Sequence, residues 1–213
     1  MKFDPTLYLV TDRALARGRD LADVVRAAVA GGVTCVQVRE KDCSSREFLD
    51  VARRVQAVLR GTGVPLLIND RLDIALAVGA DGVHLGQQDL TLVEARRLGP
   101  ATWIIGISAE TVEDARRADE EGADYIGVSP VFATPTKTDT ATPLGLEGLR
   151  QIRAVTRLPL VAIGGINLGN AREVIRGGAD GLAVVSAIVS ADDPRAAAVA
   201  LRGAISEARG ATK

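Results

Sequence analysis

The run Gln37-Val38-Arg39-Glu40-Lys41 has four polar residues and one apolar residue. In an extended strand, the alternation of side chains puts Gln37, Arg39 and Lys41 on one side and Val38 on the other. A strand inside a closed barrel would not carry an inward Gln and Arg without a partner, because burying an unpaired charge is costly. We therefore expect these cations to bind an anion at the end of a strand. The alternative is a strand end exposed to solvent.

Two aspartates follow neighbouring apolar runs, Asp70 after the third and Asp89 after the fourth. Mg²⁺ typically takes one or two carboxylates and completes its shell with water and substrate phosphate oxygens. Aspartate is also common in turns, so the pair is a weak signal alone. Beside Arg39 and Lys41 it predicts a Mg²⁺-assisted diphosphate site, because a metal and cations together hold such a group.

Further polar groups follow the fifth and sixth apolar runs. Ser108 places a hydroxyl directly after the fifth. The stretch from Ser129 to Gly145 shows no periodicity and contains Thr134, Thr136 and Lys137. Long loops in compact domains are usually functional. We expect Lys137 and the threonine hydroxyls to contact an anionic substrate.

Glycines and small residues follow the last two apolar runs. Gly164 and Gly165 come after the seventh, and Val185 and Ser186 come after the eighth. Loops after the last two strands of a β/α barrel form a recurrent phosphate site through free backbone N–H groups. This pattern predicts a phosphate site without indicating which phosphate.

His84 is the only histidine and lies between Val83 and Leu85 in the fourth apolar run. A base is one possible role. We expect a packing role inside the fold instead, because no carboxylate is placed to orient the imidazole ring.

The elements that position these groups alternate between short apolar runs and stretches of helical period. The predicted strands are Leu7–Val10, Cys35–Val38, Leu66–Ile68, Gly82–Leu85, Ile104–Ile107, Tyr125–Val128, Leu160–Ile163 and Gly181–Val185. The predicted helices are Leu21–Ala30, Arg46–Leu59, Asp73–Val78, Thr91–Leu98, Val112–Glu120, Leu146–Val155, Ala171–Ile175 and Pro194–Ala208. Eight strands each followed by a helix predict a single (β/α)₈ TIM barrel over residues 1–213.

A weak internal repeat supports the barrel. The segments that end a helix just before a strand are Ala30–Val33, Val78–Asp81, Glu121–Asp124 and Gly177–Asp180. Glycine takes the left-handed conformation that stops a helix, and Asp or Thr then begins the turn. We expect these segments to serve packing and turn geometry. The competing architecture, an open doubly wound sheet, would need a glycine-rich turn after the first strand, where the sequence has Thr11-Asp12-Arg13.

Composition excludes several partners. Hydrophobic residues make up 47% and aromatic residues only 3% of the chain, typical of a parallel sheet buried on both faces. The formal net charge of −1 argues against a nucleic-acid or membrane surface. Cys35 and Cys43 are too few for a disulfide framework, and we expect Cys35 to be a core residue. With no leader and no long apolar span, we expect a cytoplasmic protein; its oligomeric state stays open.

Taken together, these motifs resemble the thiamine phosphate synthase family over nearly the whole chain. The matching pieces, in family order, are Gln37-Val38-Arg39-Glu40-Lys41, Asn69-Asp70, His84-Leu85-Gly86-Gln87-Gln88-Asp89, Gly106-Ile107-Ser108, Thr134-Pro135-Thr136-Lys137, Gly164-Gly165-Ile166 and Val185-Ser186. Each piece is weak alone, but the ordered set is highly specific. The chain departs at Ala133, where proline is common in the family.

The resemblance implies a transferase that joins hydroxymethylpyrimidine diphosphate to a thiazole phosphate, giving thiamine phosphate and diphosphate. The thiazole partner is often a carboxylated form that also loses CO₂. It implies Mg²⁺ ligation by Asp70 and Asp89, and catalytic roles for Arg39, Lys41, Ser108 and Lys137. The implied pyrimidine diphosphate ligands are Gln37, Val38, Arg39, Glu40, Lys41, Asn69, Ser108 and Lys137. The implied thiazole phosphate ligands are Thr134, Pro135, Thr136, Gly165, Val185 and Ser186.

Three other functions compete with this interpretation. A thiazole tautomerase is a similar barrel, but it uses a histidine in the loop after strand six, where this chain has Ser129-Pro130-Val131-Phe132. A sugar-phosphate epimerase needs an acid/base pair on opposite faces of its substrate, and the predicted site offers no clear pair. A non-catalytic binder of thiamine precursors is disfavoured by the intact set of charged site residues.

Overall fold

The strands close into a barrel in the computed structural model, which describes residues 3–134 and 142–210. They are β1 (Leu7–Val10), β2 (Cys35–Val38), β3 (Leu66–Asn69), β4 (Gly82–Leu85), β5 (Ile104–Ala109), β6 (Tyr125–Val128), β7 (Leu160–Ala162) and β8 (Gly181–Val184). Each strand pairs in parallel with the next, and β8 pairs with β1. The predicted (β/α)₈ barrel is confirmed and the open sheet is excluded.

The helices form the outer layer of the barrel. They are α1 (Leu21–Ala30), α2 (Ser45–Leu59), α3 (Leu72–Val78), α4 (Leu92–Leu98), α5 (Val112–Glu120), α6 (Gly145–Val155), α7 (Ala171–Arg176), α8 (Ser186–Val189) and α9 (Pro194–Gly210), with a 3₁₀ turn at Ala14–Ala16. Each of α2, α4 and α5 begins with a reciprocal capping box that satisfies its first amide groups.

Strand alternation divides the core into two layers. Leu7 and Leu9 of β1 pack outward into the large cluster between strands and helices, whereas Tyr8 and Val10 point into the barrel. The inner cluster consists of Tyr8, Val10, Cys35, Leu67, Ile104, Tyr125, Val161 and Ala183. Cys35 is fully buried there, as predicted. The inner layer supports the floor of the site described below.

The repeated segments form one kind of junction at the N-terminal ends of the strands. Gly32, Gly79, Gly122 and Gly178 have φ values of 102°, 66°, 84° and 113°, the left-handed region that glycine tolerates. The Thr or Asp side chain that follows then accepts a hydrogen bond from the first or second amide of the preceding strand. The pairs are Thr34 with Leu7, Asp81 with Leu66, Asp124 with Ile105 and Asp180 with Leu160. The repeat is therefore structural, as expected.

Besides small shifts at the ends of other elements, two differences from the sequence-based prediction concern the site. Strand β5 continues past Ile107 because Ser108 and Ala109 pair with Gly127 and Val128, so Ser108 lies within a strand. The segment after β8 forms the short helix α8 where we predicted a loop. Its four residues span about one turn, which is too short for apolar periodicity to reveal a helix.

Candidate active site

A cavity of about 440 Å³ opens at the C-terminal ends of the strands. Its size suits a small-molecule site. Of the predicted site residues, those that line it are Gln37, Arg39, Asn69, Ser108, Thr134, Gly165, Val185 and Ser186. One cavity thus brings together residues from both ends of the sequence.

Gln37 and Arg39 point into the cavity from β2 and the residues directly after it. Gln37 is buried, and its Nε2 donates a 2.8 Å hydrogen bond to the Tyr8 hydroxyl. The Gln37 amide, which we expected to need a ligand, therefore already has a hydrogen-bond partner within the protein. Arg39 is half-buried, and within residues 3–134 and 142–210 no carboxylate forms an ion pair with it. Its guanidinium can therefore bind an anionic substrate.

Val38 and Glu40 point away from the cavity. Val38 is fully buried in the layer between strands and helices. The Glu40 side chain is 5% exposed, and its Oε2 lies 2.8 Å from Arg13 Nη2. Burial raises the pKa of Glu40, partly offset by Arg13. Their predicted contacts with substrate would have to come from the backbone.

Lys41, Asp70 and Asp89 lie beside the cavity, where β2, β3 and β4 end. Lys41 Nζ donates to Asp70 Oδ2 at 2.7 Å, and Asp89 lies close enough to Asp70 for each carboxyl to shift the pKa of the other. Asp89 Oδ2 also accepts from the Gly86 amide at 2.7 Å. The sequence prediction that the two aspartates meet is confirmed.

The two carboxyl groups differ in proton affinity. Burial alone would raise the pKa of Asp70, but the hydrogen bonds from Lys41 and Asp89 outweigh it and lower that pKa. Burial and the hydrogen bond to Asp70 raise the pKa of Asp89. Two carboxylates this close repel each other, which disfavours the ionised form of Asp89. A divalent cation would remove that conflict.

Asp70 has a strained backbone, with φ at 61°. A non-glycine residue in the left-handed region costs on the order of 1 kcal/mol, although aspartate tolerates it better than most. The Asp70 amide donates to the carbonyl of His84 at 2.9 Å, which fixes this conformation against β4. Strain of this kind accumulates where a side chain must point in a set direction.

The donor set fits Mg²⁺. In the described ranges, no group of three or more His, Cys, Asp or Glu residues is arranged to hold a metal ion. Two hard carboxylates with room for water and phosphate oxygens are what Mg²⁺ uses, whereas Zn²⁺ prefers closed sets of nitrogen and sulfur ligands. Asp70 and Asp89 are therefore the candidate ligands.

Ser108 is held at the cavity wall by two neighbours. Its Oγ lies 2.9 Å from His84 Nε2. Its carbonyl accepts a hydrogen bond from Gln87 Nε2, and Gln87 Oε1 in turn accepts one from Arg117. The last turn of α5, which follows β5, is thereby linked to the loop after β4. His84 thus holds the Ser108 hydroxyl, and Gln87 holds the Ser108 backbone.

His84 lines the cavity and belongs to a hydrogen-bonded row across the barrel. Its Nδ1 lies 2.8 Å from the Tyr125 hydroxyl, which lies 2.9 Å from that of Tyr8. Tyr8 also accepts from Gln37. From the sequence we considered only a carboxylate as the group that could orient the imidazole ring, whereas the structure places the Tyr125 hydroxyl against its Nδ1.

Two glycines make room for these rings. A Cβ on Gly106 of β5 would lie 2.0 Å from the ring of Tyr125, and one on Gly127 of β6 would lie 2.8 Å from His84 Cε1. Either distance is far inside van der Waals contact. The rings of Tyr125 and His84 therefore fit in the interior because neighbouring strands carry glycine at these two positions.

Glycines and the start of α8 form the opposite wall. Gly164 and Gly165 have φ values of 102° and 65°. The Asn170 side chain holds this turn, because its Nδ2 donates to the Gly165 carbonyl at 3.0 Å. Ser186 begins α8, and the first turn of a helix leaves amide groups without intrahelical partners. These groups can bind phosphate oxygens.

The loop after β6 runs along this wall. The Val131 and Phe132 amides donate to the carbonyls of Ile163 and Gly164, which places Thr134 against the cavity. The Gly145 amide donates to the Val131 carbonyl and closes the base of the loop. The predicted ligands Pro135, Thr136 and Lys137 lie outside the described residues.

Several cavity residues were missed by reasoning from the sequence. They are Tyr8, Thr11, Tyr125, Ser129 and Asn167. The two tyrosines had a usable signal, since they are the only tyrosines in the chain and both fall in predicted strands. An isolated polar ring in an aliphatic barrel needs a partner for its hydroxyl. The other three carry no local signal.

A (β/α)₈ barrel with cations, a carboxylate pair and a glycine-rich phosphate wall at its mouth defines an enzyme that acts on phosphorylated small molecules. No helix in the described part of the chain is long and apolar enough to span a bilayer.

Residues 7–188 match the family model described as thiamine monophosphate synthase. The chain is 62% identical over 196 residues to the thiamine-phosphate synthase of Albidiferax ferrireducens, covering 92% of this chain and 90% of the relative. It is 53% identical to that of Chloroflexus aurantiacus, covering 95% and 94%. A solved thiamine phosphate pyrophosphorylase from Pyrococcus furiosus superposes with a TM-score of 0.88 at 40% identity, covering 97% and 98%. The chain belongs to the thiamine monophosphate synthase family, whose curated members are transferases of thiamine biosynthesis.

Proposed function

We propose that this chain joins hydroxymethylpyrimidine diphosphate to a thiazole phosphate, with the thiazole carboxylated in some cases, and releases diphosphate. The observation that carries the proposal is that one mouth has two different halves. The diphosphate half consists of Arg39, Lys41, Asp70, Asp89 and Ser108. The phosphate half consists of Thr134, Gly164, Gly165, Val185 and Ser186. A reaction between one diphosphate and one monophosphate needs both.

The proposed chemistry breaks the bond between the pyrimidine methylene carbon and the diphosphate oxygen. The electron pair leaves with the diphosphate, and the electron-rich aminopyrimidine delocalises the positive charge left on carbon. The thiazole nitrogen lone pair then forms the new C–N bond. The reaction consumes no protein nucleophile, so the wall residues contribute by holding the two reactants in line.

The diphosphate half has the groups to favour this departure. The Arg39 guanidinium and the Lys41 ammonium would lie against the oxygens on which negative charge grows. Mg²⁺, held by Asp70 and Asp89, would supply further positive charge to the leaving diphosphate. Lys41 now pairs with Asp70 at 2.7 Å, and a cation at the two aspartates would release it towards substrate. Lys137 stays a predicted contributor from the loop after β6.

The phosphate half would hold the second substrate through backbone amides. A Cβ on Gly165 would lie 2.7 Å from the Ala133 carbonyl oxygen, so glycine lets this turn pack closely against the loop after β6. Ser186 would add amide and hydroxyl donors at the start of α8. The neutral donors fit a monophosphate that binds and leaves unchanged. The cytoplasmic location stays a prediction.

The test combines purified protein, Mg²⁺ and both precursors, and measures thiamine phosphate and diphosphate. We expect the two products in equal amounts, and none without Mg²⁺. Isomerisation of the carboxylated thiazole without condensation would replace the proposal with a tautomerase. Binding of both precursors without any turnover would replace it with a precursor-binding protein.

A further inference from the structure

The polar row under the cavity has a direction. It runs from Gln37 through Tyr8, Tyr125 and His84 to Ser108, with successive separations of 2.8, 2.9, 2.8 and 2.9 Å. Every gap is a hydrogen bond, and the row ends on a hydroxyl that lines the cavity. The row crosses the barrel interior from β2 to β5.

The protons of this row can be assigned by following the donors. Gln37 Nε2 donates to Tyr8, so the one hydroxyl proton of Tyr8 is available for Tyr125. Burial raises the pKa of both tyrosines well above the usual value, so each keeps its proton. With the Tyr8 proton directed to Tyr125, the Tyr125 proton is left for His84 Nδ1, which lies 2.8 Å from its hydroxyl.

A neutral imidazole whose Nδ1 accepts must carry its proton on Nε2. That proton points at Ser108 Oγ, 2.9 Å away. The Ser108 oxygen is then an acceptor toward His84, and its own proton is directed into the cavity. The same side chain without this partner would rotate among several orientations.

We propose that His84 is a positioning residue, oriented by Tyr125, that holds Ser108 as a hydrogen-bond donor toward the pyrimidine substrate. The acceptor is an oxygen of the diphosphate or a ring nitrogen. This inference rests on the proposed function for its substrate, although the orientation of the row does not depend on it. His84 itself transfers no proton in the reaction.

The first test measures the row without any substrate. Because the chain has a single histidine, ¹⁵N-histidine labelling of untagged protein gives one pair of ring nitrogen signals. We expect the Nε2-protonated tautomer in the native chain and a mixture of tautomers in Tyr125→Phe. The Nδ1-protonated tautomer, or a spectrum unchanged by Tyr125→Phe, would overturn the inference.

The second test is a double-mutant cycle with Tyr125→Phe and Ser108→Ala. Tyr125→Phe should lower kcat/KM for the pyrimidine diphosphate roughly tenfold, since one hydrogen bond of the row is lost, and leave KM for the thiazole phosphate unchanged. In the Ser108→Ala background it should have almost no further effect, because the oriented group is gone. Losses that multiply in the double variant would refute a role through Ser108.

Thr156→Val provides the control for general loosening. Thr156 is buried at the end of α6 far from the mouth, and its Oγ1 accepts from the Leu158 amide at 3.0 Å. This variant should lower the unfolding temperature and leave both KM values unchanged. If the native chain forms no product, the proposed function fails, and the nitrogen spectrum still decides the orientation of the row.

Discussion

At the scale of single residues, the carboxyl pair shows how function opposes stability. Asp89 binds its proton more tightly in the folded chain than in the unfolded chain, since its pKa is raised by burial and by Asp70. Such a group contributes stability below its unfolded pKa and loses it as the pH rises through its folded pKa. At neutral pH the ionised Asp89 therefore destabilises the metal-free protein.

We expect Asp89→Asn to stabilise the metal-free protein at neutral pH by about 0.5 kcal/mol, a small value because the half-exposed pair is screened by solvent. The amide can still accept from Gly86 and can donate to Asp70. The advantage should disappear at acid pH, where Asp89 is protonated. The measurement is the urea midpoint at both pH values.

Added Mg²⁺ should make the native chain more stable than Asp89→Asn. The native chain should gain stability with rising Mg²⁺, because a cation that binds only the folded state stabilises it by mass action. Asp89→Asn should gain much less, and EDTA should restore the metal-free order. An equal gain in both proteins would show that Asp89 is not a ligand.

The chemical role of a residue was predictable only where the residue that it interacts with follows a neighbouring strand. Asp70 and Asp89 were predicted together because parallel strand ends meet at one edge. The role of His84 was not, because its partners Tyr125 and Ser108 come from other strands. A hydrogen bond between distant strands depends on the register of the barrel, which no local pattern specifies.

At the scale of elements, the strand junctions contribute to stability and not to chemistry. Asp124 accepts from the Ile105 amide at 2.7 Å and pairs with Arg96 at 2.6 Å. We expect Asp124→Ala to lower the free energy of unfolding by about 2 kcal/mol, since a strand amide loses its partner. Measured kcat should stay unchanged.

Glu120→Ala is the matched control for Asp124→Ala. It removes the same charge from the end of α5, at an exposed position. We expect less than about 0.5 kcal/mol of change in unfolding free energy. Equal losses in the two variants would mean that charge, and not the junction, stabilises this end of the barrel.

Most elements were predictable because their signals are local. The apolar residues Val51, Val55, Val58 and Leu59 recur three and four apart, a spacing that indicates one buried face of α2. Val51, Val55 and Leu59 are buried, and Val58 is partly buried. The extension of β5 was missed because Ser108 is polar and ends the apolar run, although its backbone pairs with Gly127 of β6. The helix α8 was missed because one turn has no period.

At the scale of the whole molecule, closure of the barrel brings the two halves of the mouth together. The chain places the diphosphate half early and the phosphate half late, and the pairing of β8 with β1 joins them. Counting strands predicted this arrangement. The tyrosine and histidine row beneath the cavity was not predictable, because it depends on which side chains face inward from non-adjacent strands.

The central claim is that one cavity holds two phosphorylated substrates in two separate halves. The most direct measurement compares Arg39→Gln with Ser186→Asp in a steady-state assay that varies each substrate in turn. Ser186→Asp puts a negative charge at the start of α8, which favours the helix but repels phosphate.

We predict that Arg39→Gln raises KM for the pyrimidine diphosphate at least about tenfold and that Ser186→Asp does the same for the thiazole phosphate, because each removes or opposes a charge-assisted contact. The other KM of each variant should change less than about twofold. If both substitutions raise the KM of the same substrate, the division of the mouth into two halves is wrong.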